Sequence, residues 1–423
     1  MKIKQLIPCI IVFGVGLLVI LYAGQFVTTP DPIRAQEINS AAGTSQAFLP
    51  AIVRGPGDFL ATFDGDPPHP TPWEPADWDV TVHSRDVSTW DAINTMQAAH
   101  GPNCEPPPAT HTISAYEDTV YQCKNHLMTA MNAAGYGLIY LTPNHLVDFS
   151  QGEAVVSFDV STLRSSGRDW IDLWITPYED NLQLTLQDFL PDLSGEPRNS
   201  IHIVMDFNTS SFHVYTLRNF VLSEVPGTQS SWVGYEDFLT PDARRRDTFK
   251  LYISENHIKF GMPDYNFWWV DTSIAPLGWN QGVVQFGHHS YNPAKFCSGC
   301  GPNTWHWDNI RIAPSVPFTI LRADRRYVEK GMTATVHFPA SAPANSHLRF
   351  AGIGNNLQVS FDGGSSWQPV QMQPARFDPA DENFKSYWMP VPAGTTSVKF
   401  RGEDWWGGGW QVRDISIWSR TVR

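Results

Sequence analysis

The stretch Arg168-Asp-Trp-Ile-Asp-Leu-Trp-Ile-Thr-Pro177 alternates polar or aromatic residues with aliphatic ones, as a β-strand does. Successive side chains of a strand point to opposite faces. The predicted faces are Trp170, Asp172, Trp174 and Thr176 on one side and Ile171, Leu173 and Ile175 on the other. The aliphatic face predicts a core. Two indoles flanking a carboxylate are suited to hold a sugar ring, which has apolar faces and polar edges.

Composition limits the classes of protein to consider. The chain has 423 residues, of which 42% are hydrophobic and 17% charged, so we expect a globular protein of two domains. Its net charge of −13 argues against a nucleic-acid partner, because binding to phosphates needs a basic surface.

The N-terminus predicts export. Lys2 and Lys4 precede an apolar run over residues 6–24 that is long enough to span a bilayer. A cleaved signal peptide and an uncleaved signal-anchor both fit residues 1–24, and the uncleaved form would make the membrane a partner. Residues 25–57, rich in Thr, Ser, Ala, Gly and Pro, predict a linker. The remainder is expected outside the cell or at its surface.

Four cysteines lie in the part expected to be exported, an even number that suits disulfides. We expect Cys104 to pair with Cys123. Cys297 and Cys300 form a C-x-x-C, which we interpret as a tight loop disulfide. Zinc would need two further ligands, and a redox role would need a βαβ context that the sequence does not display.

Beyond the linker, short runs of β-branched and aromatic residues recur between turn residues, with 31 glycines and 33 prolines in the chain. This pattern predicts an all-β fold, an antiparallel jelly-roll sandwich over residues 58–314. A boundary is predicted near Pro314–Pro317, with a smaller accessory β-sandwich over residues 315–423.

Three segments resemble the concanavalin A-like lectin/glucanase jelly roll, and within it the family 16 glycoside hydrolases. Phe59–Trp73 (FLATFDGDPPHPTPW) is similar to the first strand of that family. Asp247–Asp271 is similar to the hairpin after its catalytic strand, and Thr304–Pro314 (TWHWDNIRIAP) to its closing strand. The likeness covers roughly residues 59–314 and implies a carbohydrate cleft.

The family's hydrolases carry Glu-x-Asp-x-Glu or Glu-x-Asp-x-x-Glu on one strand, which aligns the acids along the sugar, and this chain lacks both. By order along the chain, the equivalent strand is SIHIVMDF, with Asp206 at the position of the acid/base and His202 at that of the nucleophile. Asp172 is the second carboxylate expected if the chain cuts sugar. Retaining enzymes need a separation of about 5–5.5 Å and inverting ones about 6.5–9.5 Å.

Other residues are assigned to the same sites. Trp170, Trp174, His202, His213, Tyr215 and His289 are expected to bind the sugar. The resemblance also implies a structural calcium ion between the first and closing strands, held by Asp64, Gly65 and Asp308. The leading expectation is an extracellular protein that recognises a polysaccharide, with its hydrolysis left open. A non-catalytic lectin-like adhesion protein and a structural surface protein remain as alternatives.

Overall fold

A computed structural model of the chain describes the residues that carry both predicted sandwiches. These are residues 51–52, 57–64, 71–73, 78–84, 119–122, 126–131, 136–164, 169–181, 198–206, 211–226, 230–231, 246–291, 303–325, 327–329, 334–353, 355–370, 385–403 and 410–420. All belong to one compact unit, Phe48–Arg423.

The first twenty strands build the larger sandwich, because their alternating apolar residues need a common core. They are β1 (Ala51–Ile52), β2 (Phe59–Thr62), β3 (Thr71–Pro72), β4 (Trp78–Ser84), β5 (Thr119–Gln122), β6 (Leu127–Met131), β7 (Tyr136–Pro143), β8 (His145–Asp148), β9 (Ala154–Arg164), β10 (Asp169–Thr176), β11 (Ser200–Asp206), β12 (Ser211–Arg218), β13 (Val221–Glu224), β14 (Ser230–Ser231), β15 (Asp247–Ser254), β16 (His257–Met262), β17 (Phe267–Ser273), β18 (Gln281–Tyr291), β19 (Asn303–Ala313) and β20 (Ser315–Pro317). A short helix α1 (Tyr178–Asn181) follows β10, and a 3₁₀ turn spans Pro263–Tyr265.

The remaining strands form the smaller sandwich. They are β21 (Thr319–Arg322), β22 (Tyr327–Glu329), β23 (Thr335–His337), β24 (Ser346–Ile353), β25 (Asn355–Ser360), β26 (Gln368–Pro369), β27 (Lys385–Val391), β28 (Ser397–Glu403) and β29 (Gln411–Ser419).

Four sheets result, and the strand pairs in each are antiparallel. Sheet A runs β17-β16-β15-β9-β19-β6-β5-β3, with β1 and β2 alongside. Sheet B runs β13-β12-β11-β10-β18-β7-β4, with β8, β14 and β20 alongside. Sheet C is β21-β29-β24-β27 with β22, and sheet D is β23-β28-β25-β26. The prediction of an all-β fold, with one antiparallel sandwich followed by a smaller one, is confirmed.

The core of the larger sandwich lies between sheets A and B. Phe249 of sheet A stacks on Phe260 and Trp269 of the same sheet, and Phe212 of sheet B stacks on the same two rings. The aliphatic face of β10 points into this core, as its alternation predicts: Ile171, Leu173 and Ile175 are fully buried. Burial of aromatic and aliphatic area is therefore what holds the two sheets together.

The smaller sandwich packs its sheet C onto the outward side of sheet B. Leu146 and Val283 of sheet B form one apolar cluster with Phe318, Ile320 and Trp418, and Tyr178 of α1 completes it. Strand β20 still pairs with β8 in sheet B, and the first strand of sheet C begins at Thr319. The two sandwiches thus share a packed face.

A buried carboxylate lies within that shared face. Asp79 of β4 accepts hydrogen bonds at Oδ2 from Ser416 Oγ and Trp418 Nε1, both at 3.0 Å. Arg349 Nη1 lies 3.5 Å from the same oxygen, and its guanidinium sits over the Trp418 ring. All four residues are buried, so a charge on one sandwich is neutralised by the other.

Candidate functional site on the outward face of sheet B

The residues expected to bind sugar gather on the outward side of sheet B, which we call the polar face. In β10, Trp170, Asp172 and Trp174 point to this side, because their aliphatic neighbours occupy the core. The antiparallel register with β11 places His202 opposite Trp174 and Asp206 opposite Trp170. Two strands separated by a long connection are thus brought side by side.

The strands β12 and β18 extend the same face. In β12, Tyr215 lies opposite His202, and His213 lies opposite Val204. In β18, His289 lies opposite Trp170, and Gly287 lies opposite Asp172. The residues assigned to sugar binding therefore share one face across four adjacent strands.

Asp172 is the centre of a buried hydrogen-bond network. Its Oδ2 accepts from Trp174 Nε1 at 2.8 Å, and lies 2.9 Å from His202 Nε2 and 3.1 Å from His289 Nε2. The side chains of Asp172 and His289 are 0% exposed. Three N–H groups converging on one carboxylate oxygen compensate the cost of burying its charge.

The second oxygen of Asp172 is accommodated by a glycine. A Cβ atom added to Gly287 would lie 1.7 Å from Asp172 Oδ1 and 2.7 Å from Tyr140 Cε1. Any side chain at position 287 would therefore displace the carboxylate. Oδ1 is buried and has no hydrogen-bond partner among the described residues. Glycine at position 287 lets the Asp172 carboxylate approach the backbone of β18, which no larger residue would allow.

The protonation states of the network follow from burial and charge. Burial alone raises the pKa of Asp172, but the charge and hydrogen bonds of His289 and His202 outweigh it and bring the pKa to about 2. Burial lowers the pKa of the His202 imidazole. At neutral pH Asp172 is thus a carboxylate without a proton to give, and the imidazole nitrogens that face it are donors.

The aromatic rings of the network are stacked in two pairs. The His202 ring lies 3.6 Å from the Trp174 ring at an interplanar angle of 14°. The His289 ring lies 5.1 Å from the Trp170 ring at 5°, and Tyr140 meets His289 edge-on at 5.5 Å. Asp172 therefore fixes two imidazoles, and each imidazole supports one indole of the polar face.

The β12–β13 side of the polar face is more exposed. His213 Nδ1 lies 2.9 Å from Glu224 Oε1, and their side chains are 23% and 29% exposed. The Tyr215 ring stacks on His213 at 5.7 Å and 12°. Sequence reasoning missed Glu224, whose only signal is its place in a short hairpin after β12. The register of that hairpin puts Glu224 opposite Tyr215.

Asp172 and Asp206, the carboxylates expected to form an acid pair, are described to different extents. Asp172 and Asp206 lie on the same face of adjacent strands, at diagonal positions of the register, because Asp172 faces Val204 and Asp206 faces Trp170. The side chain of Asp206 is outside the described residues. The catalytic roles of Asp172 and Asp206 therefore stay predictions.

His288 points the other way from its neighbour His289. Its Nδ1 lies 2.9 Å from Thr129 Oγ1, which also accepts from Trp307 Nε1 at 3.0 Å. His126 Nε2 lies 2.9 Å from His306 Nδ1, and burial, followed by the nearby charge of Arg246, lowers the pKa of His126 to about 3. His288 faces the core, whereas His306 alternates with the core residues Trp305 and Trp307 and lies on the outward side of sheet A, so these histidines are separate from the polar face.

The residues assigned to calcium lie on sheet A and its border. Asp308 Oδ2 is 2.9 Å from Arg246 Nη2, and Asp308 Oδ1 accepts from the backbone N–H of Asn309. Asp64 is exposed, and Gly65 lies outside the described residues. Within the described ranges no three His, Cys, Asp or Glu side chains are grouped to hold a metal. A cation at Asp308 would compete with a guanidinium, and the calcium site stays a prediction.

Several expectations fall on parts of the chain that are not described. Cys104, Cys123, Cys297 and Cys300 are among them, so their pairing stays a prediction. The apolar run over residues 6–24 is also outside. In the portion that is described, no helix has the length and apolar character to cross a bilayer.

No protein-family model matches the chain, and no curated protein matches it in sequence. Solved structures do share part of its fold. A β-glucanase of Bacillus licheniformis is 10% identical, with a TM-score of 0.31, over 61% of this chain and 98% of its own.

Two further structures come from sugar-binding proteins. The carbohydrate binding module CBM66 of Bacillus subtilis is 11% identical, with a TM-score of 0.27, over 47% of this chain and 90% of its own. The exoplasmic/lumenal domain of VIP36, in a form bound to Ca²⁺ and Man3GlcNAc, is 12% identical, with a TM-score of 0.30, over 47% and 82%. The chain is similar to these proteins in the arrangement of its strands.

Proposed function

We propose that the chain binds carbohydrate on the polar face of sheet B, without cutting it. One observation carries the proposal: Trp170 is a partly exposed indole whose plane is fixed by a parallel imidazole, 5.1 Å away, that Asp172 holds in place. A rigid indole loses little conformational entropy when an apolar sugar face packs against it.

Polar groups suited to sugar hydroxyls accompany this indole. His213, Tyr215 and Glu224 lie on the same face, two and three strands away, and are partly exposed. An imidazole and a carboxylate joined at 2.9 Å are held in fixed orientations, so they are preorganised to donate and accept hydrogen bonds. An aromatic platform beside fixed polar groups is the arrangement that small-ligand sites use.

The surroundings of Asp172 argue for binding over hydrolysis. Its side chain is 0% exposed, and three N–H groups saturate one of its oxygens. A nucleophile or a general base has to reach the sugar or a water molecule. A pKa of about 2 also leaves it without a proton for a leaving group. Asp172 acts instead as the residue that orients the histidines.

The test is a glycan-array screen of the full chain, followed by a reducing-end release assay on each bound glycan. We expect binding without release. Trp170→Ala should weaken binding about tenfold, the loss expected for one stacking contact of roughly 1.4 kcal/mol. Sugar release that disappears in Asp206→Asn would show a hydrolase and overturn the non-catalytic part of the proposal.

A matched control exists on the opposite sheet. Trp268 of β17 is also a partly exposed indole, covered by Lys259 at 4.4 Å, and it belongs to sheet A. Trp268→Ala should leave glycan binding unchanged. Equal losses in the two variants would mean that the polar face is not the binding surface.

Export to the cell surface is part of the same proposal. Its support is the pair Lys2 and Lys4 before the apolar run of residues 6–24. Protease added to intact cells should digest the chain. Full protection under conditions that cleave a known surface protein would refute the surface location.

A further inference from the structure

We infer that the polar face binds the end of a glycan chain and does not bind an internal segment of one, because the smaller sandwich covers one side of that face. The inference rests on the proposed function and concerns the class of ligand. It follows from which strands of sheet B carry exposed groups and which lie under sheet C.

The covered side comprises β4, β7, β8 and β18. Asp79 of β4 is bonded to Ser416 and Trp418 of β29, and Arg349 of β24 approaches it. Farther along the strands, Leu146 and Val283 pack against Phe318, Ile320 and Trp418. A buried ion pair and an apolar cluster thus both hold sheet C against this side of sheet B.

The cover extends toward the Asp172 network. Tyr140 of β7 lies edge-on to His289 and is 4% exposed. Because this ring is buried, a sugar placed over Tyr140 would collide with packed protein.

The side chains near this cover are buried, and those at the far side of the sheet are partly exposed. The side chain of Asp79 on β4 is 3% exposed, and those of Asp172 on β10 and His202 on β11 are 0% and 4%. His213 on β12 and Glu224 on β13 reach 23% and 29%. A ligand approaching the described part of this face thus meets its exposed polar groups at the β12–β13 side.

The span of that side sets the size of the ligand. Trp170 on β10 and Glu224 on β13 are three strand spacings apart in sheet B, about 14 Å. This length suits a few sugar rings with one terminus directed at Trp170 and the covered strands. A site closed at one end selects chain ends, since an internal segment would need an exit on the other side.

The experiment is a competition assay with the native full chain bound to its array glycan. The probes are linear β-glucan, xylan, mannan and galactan, each used intact and after partial acid hydrolysis to a tenfold shorter mean length. At equal mass, hydrolysis multiplies chain ends about tenfold and leaves the internal units nearly unchanged. We expect the half-inhibitory mass concentration of the competing polysaccharide to fall about tenfold.

A half-inhibitory concentration that stays constant or rises on hydrolysis would overturn the inference. So would inhibition by a cyclic oligosaccharide of the same sugar, which has no ends. Failure of the proposed function looks different: either no array glycan binds, or binding persists unchanged in Trp170→Ala. Binding that depends on Trp170 but not on the number of chain ends rejects only the inference that the polar face binds chain ends.

Discussion

Asp79 and Asp172 are two buried carboxylates on the same face of one sheet, and their partners differ in kind. Asp79 is neutralised from the other sandwich by Arg349, with Ser416 and Trp418 as further donors. Asp172 is held within its own sheet by Trp174, His202 and His289. An arginine keeps its charge at any ordinary pH, whereas histidines titrate.

The difference separates two tasks that one sheet performs. The contact at Asp79 joins two sandwiches, and its strength should depend little on pH near neutrality. The network at Asp172 orients two indoles of the polar face, and its energy depends on the protonation of its histidines. Changes at Asp79 should therefore act on the packing of the sandwiches, and changes at Asp172 on the polar face.

The largest effect is expected from Gly287→Ala, which tests how tightly the Asp172 network is enclosed. The new Cβ would lie 1.7 Å from Asp172 Oδ1, so the carboxylate would have to move away from the three donors that hold it. Losing a buried charge's partners costs on the order of 3–5 kcal/mol. Chemical denaturation should show a fall of that size in the free energy of unfolding.

The matched control for this prediction is Gly352→Ala in the smaller sandwich. Its Cβ would meet Leu357 Cδ1 at 2.9 Å, the movable end of an aliphatic side chain. We expect a smaller loss there. If both variants lost the same stability, general crowding would explain the result and the carboxylate would have no special part in it.

Asp79→Ala comes next, because it leaves the Arg349 guanidinium buried without its carboxylate. Removing one partner of a buried ion pair costs on the order of 3 kcal/mol. The double variant Asp79→Leu, Arg349→Met should recover most of that loss, since apolar residues of similar volume replace a buried pair well. Thermal unfolding of the single and double variants measures both terms, and absence of any recovery would contradict the ion-pair interpretation.

Acid should weaken the Asp172 network by a smaller amount. The pKa of Asp172 is about 2 in the folded protein, below its ordinary value of 3.8. The carboxyl group therefore contributes stability that is fully present above about pH 4 and is lost as the pH falls toward 2. The contribution is about 2 kcal/mol, from a shift of nearly two pKa units.

The measurement is the free energy of unfolding of the native chain and of Asp172→Asn between pH 6 and pH 2. The difference between the two curves should shrink by about 2 kcal/mol below pH 4. Burial also lowers the pKa of His202, so protonating this histidine favours the unfolded chain already below its ordinary value of 6.5. Two parallel curves throughout the range would exclude a pKa shift at Asp172.

The smallest effect is predicted for Ser416→Ala. This change removes one neutral donor at 3.0 Å from Asp79, while Arg349 and Trp418 remain. One hydrogen bond to a charged group that keeps other partners contributes about 1 kcal/mol. A shift of a few degrees in the melting temperature is expected, with glycan binding unchanged. Loss of binding would mean that the two aspartates are more strongly coupled than their separate partners suggest.

Local alternation was enough to foresee much of the polar face. Because side chains of a strand alternate, the residues of β10 could be assigned to their faces from the sequence alone, and the order of SIHIVMDF along the chain placed β11 beside it. The hairpin that the resemblance implied within Asp247–Asp271 is present as well, with Ser254 opposite His257.

The sequence could not predict the hydrogen-bond partners of Asp172 and Asp79 that lie far away along the chain. The contact of His289 with Asp172 spans 117 positions, and that of Trp418 with Asp79 spans 339. Gly287 gives no signal of its own, because the need for a glycine appears only when β18 is laid against β10. Depth of burial likewise depends on neighbouring strands, so Asp172 was interpreted as an accessible acid although His202 and His289 enclose it.

The long separation between Asp79 and its donors has a consequence for how the protein is made. At about 5–20 residues per second, a ribosome would need roughly 20–70 s to travel from Asp79 to Trp418. From their own synthesis until that of sheet C, Leu146 and Val283 lack the apolar residues that cover them in the finished protein. The larger sandwich is thus synthesised before its cover, and its apolar patch and the Asp79 carboxylate leave the nascent chain prone to misassociation during that time.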